Sequence, residues 1–354
     1  MQERFQDVVG SIKPLDEALR APGQARLDGR TKPVGSLGRL EELALKLYMI
    51  QGGEAPAADP ARFFTIAGDH GVAAQGVSAF PQAVTRQMVA NFLAGGAAIN
   101  VLARQAGAEL LVVDAGCAGG EFEEHPALVR AKVAEGTADL SLGPAMSREQ
   151  CLQAVLLGVA LADEAHESGV RVLGMGDMGI ANTTPSTALF CAYLGLKPKD
   201  VTGPGTGLDA AGVTRKAEVV GRGLDANADA VASGDGLAVL AALGGLEIAA
   251  LAGLVLGGAA NRQAVLVDGF ISTAAYLAAW RIQPLVADYC FLSHASAEPG
   301  HARAVAGMGL TPLLDLGMRL GEGTGAALAL TLLRAGAAVF NDMAGFDDAG
   351  VDRA

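Results

Sequence analysis

Five short apolar runs, each halted by Gly, Asp or Ser-His and followed by a helical stretch, leave this chain few ways to fold. They cover 63–67, 110–113, 170–173, 265–267 and 285–292. Runs of that length bounded by turn residues read as buried strands. Strands alternating with helices require right-handed crossovers and a parallel sheet covered on both faces, which makes an α/β fold. Ligands of such sheets bind beyond the carboxyl ends of the strands. Here those ends carry Asp69-His70, Asp114, Asp177, Asp268 and Ser293-His294, so the chemistry is expected to converge on one crevice.

The strand–helix pattern occupies residues 61–304. Residues 1–60 and 305–354 read as helical and loop-like, and we expect both chain ends to pack together as a small helical domain. Ser36 is placed to cap a helix with Leu37, Leu40, Ala44 and Leu47 at helical spacing, preceded by a turn with Arg30 and Lys32 exposed. Residues 237–260 are long enough to span a bilayer. Glu247 and the breakers Gly244-Gly245 and Gly257-Gly258 instead read as two short buried helices.

Near the carboxyl end, Arg319-Leu320-Gly321-Glu322-Gly323-Thr324-Gly325 places one carboxylate among three glycines before a helix that starts near Ala326. Glycine allows tight backbone corners and close ligand approach, and the free N–H groups of a helix start favour negative charge. Glu322 therefore reads either as an ionised, stiffly aimed proton acceptor or as a solvated first-turn residue. Gly174-Met175-Gly176-Asp177-Met178-Gly179 has the spacing of a dinucleotide-binding loop. No acid closes a strand some twenty residues on, so a generic phosphate or ribose loop fits better than an NAD site. Thr184, with Pro185 after it, is placed to cap the next helix. A second glycine loop at 201–207 is followed by Arg215 and Lys216; it is a phosphate site or a plain turn.

The formal charge of −12 argues against nucleic acid or an anionic membrane as partner. The four cysteines are scattered without a paired motif, and the first residues carry acids but no apolar run. We expect reduced thiols, no signal peptide and a cytoplasmic location. The five histidines lack metal-ligand spacing, so no metal is expected. A serine hydrolase elbow is also missing.

Taken in order, several stretches resemble the nicotinate-nucleotide–dimethylbenzimidazole phosphoribosyltransferase family. They are residues 32–41, 67–72, 174–185, 265–270, 293–298 and 319–327. The resemblance implies a homodimer of a Rossmann-like sheet domain and a small helical domain, without a cofactor. It implies transfer of the ribose 5-phosphate of nicotinate mononucleotide to 5,6-dimethylbenzimidazole, giving alpha-ribazole 5′-phosphate and nicotinate. By the same resemblance Glu322 is the catalytic base and Asp177 a second catalytic acid, where many relatives carry Glu. The base pocket falls on Phe80, Met88 and Leu320, and the nucleotide phosphate on Gly176, Gly203, Lys216 and Ser296. Two other readings compete with it: an NAD-dependent oxidoreductase built on 174–179, and a non-catalytic nucleotide-binding relative.

Overall fold

The computed structural model describes residues 1–352. Six parallel strands form one sheet: β1 (Ala61–Gly68), β2 (Glu109–Gly116), β3 (Leu128–Arg130), β4 (Val172–Met178), β5 (Ala264–Val267) and β6 (Cys290–Leu292). Their order is β3-β2-β1-β4-β5-β6, so the winding reverses between β1 and β4. Crevices open at such switch points, outside the carboxyl ends of the strands. All eight residues of β1 are buried, as expected of a central strand covered on both faces.

Three of the five apolar runs lie wholly in strands, and a fourth, 170–173, enters β4 only at Val172. The fifth splits: Pro284–Tyr289 is a 3-10 turn, and only Cys290–Leu292 joins the sheet. The short β3 has no apolar run to announce it and pairs only with β2. The 237–260 stretch forms two buried helices, Gly236–Leu243 and Leu246–Ala260, parted at Gly244-Gly245. The second packs on the Arg148–Glu167 helix through glycines. A Cβ at Gly158 would lie 1.8 Å from the Ala250 carbonyl, and one at Gly253 1.9 Å from that of Val155. Among the described residues one helix, Thr324–Asp342, is long and apolar enough to cross a membrane. It instead buries ten of its residues against the sheet and the Arg39–Ile50 helix.

Near the chain ends, Leu27, Ala44, Leu45, Met49 and Phe340 form a separate small core. The first helix, Gln2–Ser11, joins the main core through Phe5 and Val8. Arg30 and Lys32 are buried, contrary to the exposed turn expected. Arg30 donates to the Phe340 and Met343 carbonyls at the end of the Thr324–Asp342 helix. Helix ends leave such carbonyls in need of donors. Lys32 pairs with buried Glu41 at 2.8 Å. Ser36 caps nothing; the helix starts at Arg39 behind Gly38 at φ 53°.

Candidate active site

At the carboxyl ends of β4, β5 and β6 a cavity encloses about 260 Å³. The segment after β4 contributes Asn182 and Thr183, that after β5 contributes Gly269, Phe270 and Ile271, and that after β6 contributes His294, Ser296 and Glu298. Asp177, near the end of β4, stands on the same wall. Gly205, Thr206, Phe80, Arg319, Leu320 and Gly321 complete it.

Glu322 occupies a left-handed corner. Gly321, Glu322 and Gly323 have φ values of 85°, 64° and 100°, so the central residue holds a conformation that side chains other than glycine rarely adopt. The corner sits on the switch point itself. Thr65 in β1 and Gly176 in β4 are paired across the sheet. Thr65 Oγ1 donates to the Glu322 carbonyl at 2.8 Å, and a Cβ on Gly176 would come within 2.2 Å of that same oxygen. The carboxylate reaches the start of the Ala98–Gln105 helix, where Oε2 accepts from Ile99 N–H at 3.3 Å. Burial pushes this carboxyl above the usual glutamate range; the Ile99 amide opposes the shift and the charge of Asp268 adds to it.

The helix that follows is capped by Asp268 rather than by Glu322. Asp268 Oδ2 accepts from Gly323 N–H at 3.2 Å and Oδ1 from Ala326 N–H at 3.0 Å. Burial pushes the Asp268 carboxyl up, while His294 and the helix amides pull it down. His294 Nε2 lies 3.7 Å from Asp268 Oδ1, beyond hydrogen-bond reach. Asp177 accepts from Asn182 Nδ2 at 2.9 Å, and burial, then the charge of Asp268, hold its carboxyl well above the usual range. The strand-end pair Asp69-His70 fixes loops instead. Asp69 accepts from Ala118 N–H at 2.8 Å, and His70 Nε2 meets Glu247 Oε1 at 2.7 Å.

A buried cation stands behind Thr183 and Gly205. Lys216 Nζ donates to Thr183 Oγ1 at 2.6 Å and to the Gly203 carbonyl at 3.4 Å. Burial lowers this ammonium to about 8, with the charge of Glu298 holding it up. Across the cavity the Phe270–Ile282 helix begins, and its first-turn N–H groups form a natural anion site. That site was not legible as one, because Gly269 reads in sequence only as a strand end.

Phe80, Asp177, Leu320 and Ser296 are thus brought together on one cavity wall, with Lys216 directly behind Thr183 and Gly205. Glu322 lies one residue behind the wall. Met88 is half-buried on the Ala83–Leu93 helix, packed on the core and off the wall. Gly203 is not on the wall either; its α-carbon packs against Glu298, where a Cβ would meet Oε2 at 2.1 Å. Residues 174–178 lie inside β4 rather than in a loop. A Cβ at Gly174 would strike the Phe63 ring at 2.1 Å, and one at Gly179 the Gly68 carbonyl at 2.4 Å. These glycines permit close backbone packing and open no phosphate cradle, which removes the physical basis of the NAD reading. Gly176 likewise serves the Glu322 corner. The next helix starts at Thr183 behind Asn182; Thr184, fully buried, is not its cap.

A family model described as phosphoribosyltransferase matches residues 12–351. The nicotinate-nucleotide–dimethylbenzimidazole phosphoribosyltransferase of Solidesulfovibrio magneticus is 64% identical over 99% of each chain. That of Chlorobaculum tepidum is 50% identical, again over 99% of each. The crystal structure of CobT from Thermus thermophilus superposes with a TM-score of 0.89 at 45% identity, covering 95% of this chain and 100% of that one.

Proposed function

Since the chain belongs to the nicotinate-nucleotide–dimethylbenzimidazole phosphoribosyltransferase family, we propose a division of its site into a base end, a sugar wall and a phosphate end. The reaction is transfer of ribose 5-phosphate from nicotinate mononucleotide to 5,6-dimethylbenzimidazole, yielding alpha-ribazole 5′-phosphate and nicotinate. The heterocycle enters between Phe80 and Leu320, where Gly321 leads into Glu322. The phosphate is held between Lys216 with Thr183 and the N–H groups that open the Phe270–Ile282 helix, with Ser296 beside them. Homodimeric assembly and a cytoplasmic location belong to the same proposal.

In nicotinate mononucleotide the pyridinium nitrogen bonded to C1′ is already cationic. When that bond breaks, the electron pair stays with the ring nitrogen, which leaves neutral. A benzimidazole nitrogen attacks C1′ from the opposite face and inverts it. The new bond makes the remaining ring N–H acidic, and Glu322 takes its proton. Its raised proton affinity suits a base, and the left-handed corner fixes its aim. General-base help of this kind contributes about a hundred- to ten-thousandfold. Asp177, on the wall, favours positive character at C1′ when ionised.

The observation that carries the base assignment is the Glu322 corner, a strained non-glycine residue gripped from β1 and β4 at the switch point. Incubation with nicotinate mononucleotide and dimethylbenzimidazole should release free nicotinate. Glu322→Gln should bind the nucleotide as before and lose turnover by about a hundred- to ten-thousandfold. A variant that turns over at the parent rate removes Glu322 from the mechanism.

A further inference from the structure

Two carboxylates stand on the cavity wall, and only one has a partner. Asp177 accepts from Asn182 at 2.9 Å. Glu298 is 4% exposed, and its side chain makes no hydrogen bond to any described residue; Oε2 is sealed against the Gly203 α-carbon, which leaves Oε1 as the oxygen on the cavity side. The residue precedes the Pro299–Gly307 helix without capping it. Its only hydrogen bonds run through its backbone, from its N–H to Ser296 Oγ at 3.4 Å and to its carbonyl from His301 N–H at 2.9 Å. Lys216 acts on it only through the field of its charge: the ammonium donates to Thr183 Oγ1 and the Gly203 carbonyl, and neither Glu298 oxygen receives a hydrogen bond from it. A buried carboxylate without donors is costly, and such a group on a cavity wall calls for donors from the ligand.

The substrates limit what those donors can be. The phosphate and the nicotinate carboxylate are anions and are repelled by Glu298. The benzimidazole N–H belongs at the Phe80–Leu320 end with Glu322. The remaining donors are the ribose hydroxyls. Acidic residues read a ribose hydroxyl in other nucleotide sites, and a single carboxylate oxygen has the lone pairs to accept from both O–H groups of a vicinal diol. Placement agrees with this. Glu298 is wedged against the Gly203 α-carbon, and the same glycine's carbonyl receives Lys216. Cation and anion thus meet at Gly203, Lys216 from the Ala210–Ala226 helix and Glu298 from the start of the Pro299–Gly307 helix, suited to a phosphate and to the hydroxyls of the sugar that bears it.

We propose that Glu298 accepts hydrogen bonds from the 2′- and 3′-hydroxyls of the substrate ribose and so sets the preference for ribonucleotides. The inference rests on the transferase reading of the site. Its test compares nicotinate mononucleotide with its 2′-deoxy and 3′-deoxy analogues, following nicotinate release and kcat/KM for the parent protein and Glu298→Gln. Charged hydrogen bonds of this kind correspond to about ten- to a hundredfold. The parent should disfavour at least one deoxy analogue, and the variant should shrink that preference by about tenfold. Differences in the inherent reactivity of deoxy sugars cancel in the ratio between the two proteins. Equal use of all three nucleotides by the parent overturns the inference. So does a variant that loses the same factor on all three, because Glu298 would then serve only the Lys216 loop. Should the parent release no nicotinate from any of them, the transferase reading itself fails. The comparison of analogues on the parent needs no variant to fold.

Discussion

Replacing Gly176 by Ala tests whether the Glu322 corner is aimed by the sheet beneath it. The added Cβ would lie 2.2 Å from the Glu322 carbonyl oxygen, 2.6 Å from its carbon and 2.9 Å from Thr65 Oγ1. Real Cβ atoms essentially never come within 3.0 Å of such neighbours. Backbone cannot swing aside as a side-chain end can, so the corner must lift by roughly 1 Å, and a displacement of that size at a reacting group costs on the order of a hundredfold in rate. The overlap should also destabilise the fold by about 1–3 kcal/mol, which for a chain of this length lowers Tm by about 1–4 °C. Gly174→Ala is the control. Its Cβ would strike Phe63 at 2.1 Å in the same strand without touching the corner. We predict that both variants lose stability, that only Gly176→Ala loses kcat, and that nucleotide affinity by calorimetry is kept in both. A Gly176→Ala enzyme with kcat within threefold of the parent, or a Gly174→Ala enzyme that loses as much, would refute the reasoning.

Three further predictions concern protons. Glu322 acts as a base only when ionised, and its carboxyl lies above the usual glutamate range. The acid limb of kcat should therefore fall at a higher pH than an unperturbed glutamate gives, and a limb at the ordinary value would contradict the burial argument. Lys216 is protonated below about 8 and loses its charge as pH rises through that value. KM for the nucleotide should then climb on the alkaline side, and Lys216→Met should show a high KM with no such climb. Asp177 has its carboxyl raised by burial, so the ionised form is disfavoured in the fold. Its contribution is most favourable at low pH and is lost as pH rises. Asp177→Asn should raise Tm by about 1–3 °C at neutral pH, lower kcat, and bring no gain in acid. An unchanged or lower Tm at neutral pH would count against it.

The sheet was legible because its signal is local: apolar runs of strand length, each stopped by a turn residue. The glycines of 174–179 were not, since their spacing suits a phosphate loop and a packed strand equally well. Each is explained by a contact distant in sequence: Phe63, the Glu322 carbonyl and the Gly68 carbonyl. Arg30 and Lys32 look like surface cations until the end of the Thr324–Asp342 helix and Glu41 arrive beside them. Glu298 gave no local signal either, because an acid before Pro299 reads as an ordinary helix entry. Only its burial without a donor sets it apart.

The placement of Asp268 bears on why a glutamate at the start of a long helix can serve as a base. Had Glu322 capped the Thr324–Asp342 helix, the helix N–H groups would have stabilised its anion and weakened it as a proton acceptor. Asp268 takes those N–H groups instead, and its own charge pushes the Glu322 carboxyl further up. Glu322 keeps one longer bond, to Ile99 N–H at 3.3 Å, which steadies Oε2. Oε1 has no hydrogen bond to a described residue, leaving a lone pair for the incoming N–H. One carboxylate thus terminates the helix and the other remains basic. The strand end that supplies Asp268 also supplies, two residues later, the helix start assigned to the phosphate. On this arrangement β5 ties the aim of the base to the seat of the nucleotide, so a shift at Asp268 should disturb both.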